Sequence, residues 1–329
     1  MKATAQLLHD TIRAQNWHLA PPSDPTTAEA YLALLRPLYA AGRCDLPLGR
    51  LLEGHVDAVQ IVQRYGSAEQ INLLKAALSG DAALGVWNAG LEDEPLRYGA
   101  GRLDGGKSYA SGAGVLTHAL VTAQVTAGTQ LLLIDLAAIP PSIDRGWWRT
   151  TGMQRSETHQ VRWSDAAVSS AALIGEPEVY AQEPFFSGGA LRFVAVHAGG
   201  IAGVFDAVRD HLVATGRAND PFQSARLAEL FSLADAAVGS VRRAAEDWFV
   251  TTGEARLARV AAARLAVADA AERAIALAQN AVGLAGQFLS HPLSAIISDL
   301  AVYVRQPAPD AQRLRVGKAA SAGLLVPDL

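Results

Sequence analysis

The spacing of apolar residues predicts helices in the first quarter of the chain. Over residues 1–80 they recur at three- and four-residue steps, the period of one face of an α-helix. Thr27 is a predicted N-cap for a helix that Pro37 should kink or end. A second predicted helix begins at Pro47 and ends before Gly66, since Pro suits a first helical turn and Gly a C-terminal cap. This part is therefore expected to be an N-terminal helical domain.

After Asp81 the helical period gives way to short runs rich in β-branched and aromatic residues, separated by Gly, Pro and Asp. This pattern predicts a small middle β domain over residues 81–185. Asp104-Gly105-Gly106 is interpreted as a tight hairpin that pairs the strand before it with the strand after it. The predicted strands are 83–87, 97–103, 107–111, 119–125, 130–136 and 160–163.

From Ala190 onwards the helical period returns, which predicts a C-terminal four-helix bundle within residues 186–329 and an α+β protein as a whole. The third helix carries an apolar stripe dominated by Ala, and small residues let helix axes approach closely. We expect this stripe to support self-association, although packing inside a single bundle would also satisfy it. The predicted bundle helices are 191–214, 222–249, 254–284 and 292–305.

Composition excludes several classes of protein. Of 329 residues, 50% are hydrophobic and 18% charged, so the chain can bury a core and is not disordered. A formal net charge of -4 leaves no basic excess for a nucleic acid partner. Cys44 is the single cysteine, and the histidines show no metal-binding spacing, so we expect no disulfide and no metal site. No uncharged run reaches the roughly 20 residues of a membrane span, and charges near the N-terminus exclude a secretory signal, so the expected location is cytoplasmic.

Several short stretches, each weak alone, carry a resemblance through their order and spacing. Together they are similar to the acyl-CoA dehydrogenase superfamily of flavoproteins, and the resemblance covers nearly the whole chain. It implies an acyl-CoA dehydrogenase-like fold of helical domain, β domain and bundle. The stretches include Gly42-Arg43-Cys44-Asp45-Leu46, Ala83-Leu84-Gly85-Val86-Trp87-Asn88, Leu103 to Gly112, Gly152-Met153-Gln154-Arg155-Ser156 and Asp220-Pro221-Phe222-Gln223.

The resemblance implies FAD as the cofactor and acyl-CoA, or a similar extended molecule, as the substrate. In that family the flavin lies between the β domain and the bundle, and two β-domain segments contact its ring mainly through backbone groups. A flavin is a flat apolar ring with a polar edge, which backbone N–H groups and a serine hydroxyl can bind. The alternative is that the aromatic residues in these segments belong to the core and the serine merely ends a strand. The two segments correspond to Trp87, Asn88 and Ala89 and to Tyr109, Ala110 and Ser111.

The bundle departs from the family pattern where the rest of FAD would bind. Relatives carry an Arg and then a Phe-Gly pair that embrace the pyrophosphate and adenine of FAD on a neighbouring subunit. This chain has Arg217 without the Phe-Gly pair. Gln279 and Gly283 resemble the Gln and Gly-rich turn that meets FAD from the partner, although a polar helix end with a glycine cap is an equal interpretation. The resemblance implies a homo-oligomer, or a hetero-oligomer with a homologue.

The catalytic base that the family uses is missing. Removing a proton from the α-carbon of an acyl thioester needs a positioned carboxylate, and the family position for that Glu falls near Pro307. Asp310 is the one weak candidate, so the catalytic residue is unidentified. Three functions stay open: an FAD-dependent dehydrogenase, a flavin-dependent monooxygenase or oxidase of the same fold, and a degenerate subunit that pairs with an active homologue.

Overall fold

The computed structural model describes residues 2–327, with side chains from residue 4 onwards. Its contacts group the chain into two compact units. The first runs to Asp24 and continues over Arg50–Arg149 and Gln154–Gln182, while the second comprises Pro25–Gly49, Thr150–Met153 and the chain from Glu183 onwards. The three-domain division at residues 80 and 185 stays a prediction.

The helices follow the predicted periodicity closely. The four predicted bundle helices are present as α6 to α9, and the Pro-rich segment after them leads into a further helix, α10, that was not predicted. The helices are α1 (Lys2–Ala14), α2 (Ala28–Cys44), α3 (Leu46–Tyr65), α4 (Ala68–Ser79), α5 (Phe185–Gly188), α6 (Ala190–Ala214), α7 (Pro221–Val250), α8 (Gly253–Val282), α9 (Pro292–Tyr303) and α10 (Pro309–Ser321).

Helix α2 begins as predicted and continues past Pro37, where a kink or an end was expected. The Thr27 side chain accepts a hydrogen bond of 3.1 Å from the backbone N–H of Ala30, which is the predicted N-cap. The helix then continues through Pro37 to Cys44, so the proline does not end it. Leu35 and Leu38 are buried on either side of the proline, and this packing offsets the helical hydrogen bond that Pro37 cannot make.

All strands of the described residues lie between Leu84 and Ile174, and they form one mixed sheet. Its order is β6-β7-β3-β2-β4-β5-β8, and β1 pairs with β4 in parallel. Within the first unit, apolar residues of α3 and α4 pack against β4 and β5 and form the core beneath the sheet. The strands are β1 (Leu84–Trp87), β2 (Arg97–Gly99), β3 (Arg102–Ala110), β4 (His118–Val125), β5 (Gly128–Asp135), β6 (Ser142–Asp144), β7 (His159–Ala167) and β8 (Leu173–Ile174).

The predicted hairpin at Asp104-Gly105-Gly106 is wrong, because these residues lie inside β3. The tight turn occurs earlier, at Ala100 and Gly101, whose φ angles are +50° and +73° and which join β2 to β3. Gly105 instead marks a shift in the pairing between β3 and β7, with φ at +101°. A Cβ on Gly105 would collide with the Pro95 carbonyl, so glycine serves a close backbone approach there.

Helix α6 is the buried core helix of the second unit. Glycines allow close approach to α2, since a Cβ on Gly199 would overlap the carbonyl oxygen of Tyr39 and one on Gly42 would overlap that of Val196. The stretch Phe185–Ala214 is long and apolar enough to cross a membrane, yet 78% of its most apolar window is buried inside the protein. The character of a core helix therefore accounts for its composition.

Candidate functional site

The two segments assigned to the cofactor lie side by side in the first unit. The indole Nε1 of Trp87 donates a hydrogen bond of 2.9 Å to the carbonyl oxygen of Ser111. The carbonyl of Ala89 accepts one of 3.0 Å from the backbone N–H of Ser108. The end of β1 and the end of β3 thus form one continuous hydrogen-bonded surface.

Trp87 and Tyr109 play opposite roles in this surface. The Trp87 side chain is fully buried and packs against Trp163 at a ring-centroid distance of 6.3 Å, as a core aromatic does. Its indole therefore anchors the end of β1 in the core of the first unit, and Ala110 on β3 is buried as well. Tyr109 is 57% exposed and has a φ of +51°, a strained value for a non-glycine residue.

Two tryptophans that the sequence reasoning did not select surround Tyr109. The Tyr109 ring meets Trp147 edge-to-face at 4.9 Å and Trp148 at 6.2 Å. Both indoles are half-buried. Adjacent tryptophans after a glycine, in a chain with 6 Trp, were the available sequence signal. The three rings provide an apolar surface next to the Tyr109–Ser111 segment.

Ser111 lies at the end of a chain of hydroxyl groups. Thr158 Oγ1 donates to Ser111 Oγ at 2.9 Å and is itself 2.7 Å from Ser156 Oγ. All three side chains are buried. Because Ser111 accepts from Thr158, its own hydroxyl hydrogen remains free to donate to a ligand.

Asn88 and Ala89 are exposed, and a buried lysine lies beneath them. Lys107 Nζ donates to the Asn88 carbonyl at 3.0 Å and to Thr122 Oγ1 at 2.7 Å. Burial lowers the pKa of Lys107 to about 8. Its ammonium group therefore contacts the first assigned segment with a clearly lowered pKa.

The residues assigned in the bundle lie at two separate places of the second unit. Arg217 is exposed in the loop between α6 and α7. Gln279 is exposed in the last turn of α8, where its carbonyl accepts from the N–H of Gly283, whose φ is +73°. That arrangement is a glycine-capped helix end. In the described part of the chain no hydrogen bond or ion pair joins Arg217 to Gln279.

Asp310, the weak candidate for the catalytic base, is exposed and carries an ion pair. Asp310 lies in the first turn of α10, its side chain 89% exposed and 3.0 Å from Arg313. At Pro307, near which the resemblance implies the base, Arg264 Nη2 donates to the backbone carbonyl, and the guanidinium lies over the Phe193 ring. Burial lowers the pKa of Arg264, but the group is a cation and not a base at neutral pH.

The acids of α6 are engaged in ion pairs. Asp206 Oδ2 is 2.6 Å from Arg43 Nε, and this partner holds the pKa of the Asp206 carboxyl below its usual range. Asp210 is paired with Arg209 at 2.8 Å. Among residues 2–327 no cluster of three His, Cys, Asp or Glu side chains is placed to hold a metal ion.

The sequence matches no family model and no curated protein. The fold, however, matches solved structures over nearly the whole chain. KijD3, in complex with FMN and dTDP-3-amino-2,3,6-trideoxy-4-keto-3-methyl-D-glucose, is 19% identical with a TM-score of 0.73, covering 99% of this chain and 95% of that one. TdsC from Paenibacillus sp. A11-2, with FMN and indole, is 16% identical with a TM-score of 0.74, covering 98% and 96%. An FAD-dependent dehydrogenase is 15% identical with a TM-score of 0.76, covering 99% of both chains.

These three proteins are acyl-CoA dehydrogenase-like flavoproteins, and the chain has their fold. The predicted α+β architecture, with helices before and after a sheet, is thereby confirmed. At such identities the likeness establishes the fold, and the chemistry has to be argued from the residues.

Proposed function

We propose that the protein is a flavin-dependent oxidoreductase. The observation that carries this proposal is the match in fold to flavin-bound or FAD-dependent proteins over at least 95% of their length. The first unit adds independent support, because the two segments assigned to the flavin form one surface in it.

The residues of this surface fit a flavin ring. The Ser111 hydroxyl and backbone N–H groups of the Asn88 segment are donors for the polar edge of the ring, and Tyr109 offers an exposed aromatic side chain to its apolar part. A bound flavin would supply hydride or oxygen chemistry that no side chain possesses. The residues named here would bind and orient it.

FAD is the finer proposal for the cofactor, and FMN is the second candidate. FAD follows from the family resemblance and from the FAD-dependent dehydrogenase of the same fold. Two observations favour FMN: KijD3 and TdsC were solved with FMN, and this chain lacks the Phe-Gly pair that would meet an adenine. Arg217, Gln279 and Gly283 remain the proposed contacts for the extended end of FAD.

Dehydrogenation of acyl-CoA is the proposed reaction, with Asp310 as its weak candidate base. A monooxygenase or oxidase is the second candidate. It is favoured by the pairing of Arg264 with the Pro307 carbonyl, since a cation at this place cannot remove a proton. TdsC, described as a dibenzothiophene monooxygenase, has the same fold. We further propose a cytoplasmic homo-oligomer, with a degenerate subunit in a hetero-oligomer as the alternative.

The experiment is a visible absorption spectrum of the purified protein, followed by chromatography of any flavin released on denaturation. A yellow protein that releases FAD supports the finer proposal, and one that releases FMN supports the second candidate. A colourless protein that gains no flavin spectrum with either compound overturns the proposed function and favours the degenerate subunit.

A further inference from the structure

Lys107 is a buried amine without a carboxylate partner. It lies on β3 and is only 4% exposed. No ion pair with Lys107 occurs among the residues that the structure describes. Burying an ammonium group is costly unless its hydrogens are bonded, so the acceptors around Lys107 must account for its presence.

These acceptors connect three parts of the sheet. Lys107 Nζ donates to Thr122 Oγ1 on β4 at 2.7 Å and to the carbonyl oxygen of Asn88, just after β1, at 3.0 Å. Thr122 Oγ1 in turn donates to Asn88 Oδ1 at 2.9 Å. The result is a closed ring of hydrogen bonds in which the ammonium group fixes both the backbone and the side chain of Asn88.

The neighbouring residue on β3 extends this pattern along the exposed segment. Ser108 N–H donates to the carbonyl of Ala89 at 3.0 Å, and Ser108 Oγ donates to that of Gly90 at 2.8 Å. Three consecutive carbonyls, from Asn88 to Gly90, are thus held by β3. In a trans peptide the N–H points opposite to the preceding C=O. The N–H groups of Ala89 and Gly90 therefore point away from these donors.

The segment has open space beside it. A Cβ placed on Gly90 would meet no heavy atom within 4 Å. Asn88, Ala89 and Gly90 are all exposed. Two adjacent backbone donors facing away from the strand, with a positive charge behind them, form a binding place for hydrogen-bond acceptors.

We propose that Lys107 is a positioning residue: its ammonium holds the Asn88 carbonyl inwards, so that the N–H groups of Ala89 and Gly90 bind the acceptor edge of the flavin ring. This inference rests on the proposed function for the identity of the ligand. The ring of hydrogen bonds among Lys107, Thr122 and Asn88, here called the lock, is a property of the protein alone. Its effect on a ligand passes through the Asn88–Gly90 segment and needs no contact between Lys107 and the flavin.

The test compares two variants. Lys107→Met keeps a long unbranched side chain but removes the charge, and Lys75→Met removes an exposed lysine from α4. The first readout is NMR hydrogen exchange of the Ser108 amide in flavin-free protein, because that amide is protected only while Ala89 stays docked. The second is the affinity for FMN and FAD, measured by flavin fluorescence. We expect Lys107→Met to speed the exchange and weaken flavin binding about tenfold or more, the range for lost bonds to a charged group. Lys75→Met should match the wild type.

If Lys107→Met does not fold, two further measurements can still test the inference. Thr122→Val removes the hydroxyl at nearly constant shape and should weaken flavin binding, whereas Thr122→Ser keeps the hydroxyl and should restore it. In the wild type, flavin affinity should fall above about pH 8, because the neutral amine keeps two N–H donors for its two acceptors but loses the charge that strengthens those bonds. A simply structural lysine would show neither the serine rescue nor this pH profile.

Each outcome decides one part. Wild-type affinity and Ser108 protection in a folded Lys107→Met variant, or equal affinity in Thr122→Val and Thr122→Ser, overturn the inference. If the wild type binds no flavin, the proposed function and the flavin part of the inference fail together. Faster Ser108 exchange in Lys107→Met would then still establish the lock.

Discussion

The indole N–H of Trp87 is bonded to the carbonyl oxygen of Ser111 at 2.9 Å. A buried side chain from the end of β1 thus holds the end of β3. Because Ser111 also accepts from Thr158, its backbone and its side chain are both fixed before any ligand arrives. Preorganisation of this kind lowers the entropic cost of binding.

Trp87→Phe should therefore reduce flavin affinity by several-fold as well as stability. The change leaves the buried Ser111 carbonyl without its donor, which costs about 1–3 kcal/mol in free energy of unfolding. Trp163→Phe is the matched control: it keeps an aromatic ring beside Trp87 and removes only an indole N–H that donates to the Ile139 carbonyl at 3.0 Å and not to an assigned segment. Urea unfolding and flavin titration check the pair. Equal losses of flavin affinity in both variants would contradict the assigned role of Trp87.

Gly199→Ala should destabilise the second unit through the contact between α2 and α6. The added methyl would overlap the Tyr39 carbonyl, and such overpacking typically costs about 1–3 kcal/mol. Gly239→Ala on α7 is the control, since a Cβ there meets nothing within 4 Å. It should stabilise the helix by up to about 1 kcal/mol. Thermal unfolding should move the two variants in opposite directions, and a shift of both in one direction would refute this account.

Stability should decline in acid through His55. Burial lowers the pKa of His55 to about 3, and its Nδ1 accepts from the Leu84 N–H at 3.2 Å. Between the unfolded pKa of about 6.5 and this folded value, the unfolded chain binds a proton that the folded chain does not. The free energy of unfolding therefore falls as the pH drops through this window, by about 1.4 kcal/mol per pH unit below the unfolded pKa.

The variant His55→Asn keeps an acceptor for Leu84 without titrating. Its stability at pH 7.5 should be lower than that of the wild type, because the smaller side chain leaves space in the core. The gap should narrow by roughly 2 kcal/mol at pH 5. Urea unfolding at the two pH values measures this difference in free energy of unfolding. If the free energies of the two proteins fall in parallel with pH, His55 is not the cause of the acid destabilisation.

Much of the fold followed from local patterns, and the errors have physical causes. The Thr27 cap and the four bundle helices could be predicted from the sequence because capping and a 3.6-residue period are local properties. The Asp104-Gly105-Gly106 error arose because a glycine pair suits a hairpin turn and a β-bulge equally, and pairing with β7 decides between them. Helix α10 was missed because its sequence has little apolar periodicity and because it begins at Pro309, two residues after Pro307.

Less of the candidate site than of the fold could be predicted from the sequence. The segments at Trp87 and at Tyr109 came from the family resemblance, and composition alone would have placed both rings in the core. The lock formed by Lys107, Thr122 and Asn88 joins residues from three strand regions, so no sequence spacing encodes it. The position of Arg264 against Pro307 is likewise a long-range contact.

Self-association should depend on an exposed apolar turn after α8. Leu284, Phe288 and Leu289 are 77%, 61% and 96% exposed. Three exposed apolar side chains so close together in the chain indicate an interaction surface, whereas single exposed ones do not. The double change Phe288→Ser and Leu289→Ser should shift the proposed oligomer towards monomer in sedimentation velocity, with unchanged stability of the subunit. Leu19→Ser, at an isolated exposed leucine of the first unit, is the control. A wild-type monomer at micromolar concentration with flavin bound would contradict the proposed assembly.

If the protein binds flavin, saturated acyl-CoA should reduce it far more slowly than in relatives that carry the glutamate base. General-base catalysis contributes about 10²–10⁴-fold, and the resemblance implies the base near Pro307, whose carbonyl accepts a hydrogen bond from Arg264. Anaerobic mixing with acyl-CoA of several chain lengths, followed by flavin absorbance, measures this rate. Rapid bleaching that Asp310→Asn abolishes would identify Asp310 as the base despite its exposure. Rapid bleaching that survives this change would place the base elsewhere. If acyl-CoA does not bleach the flavin and the reduced protein consumes oxygen productively with another substrate, the result would favour the monooxygenase. That reaction does not need a carboxylate base beside Arg264.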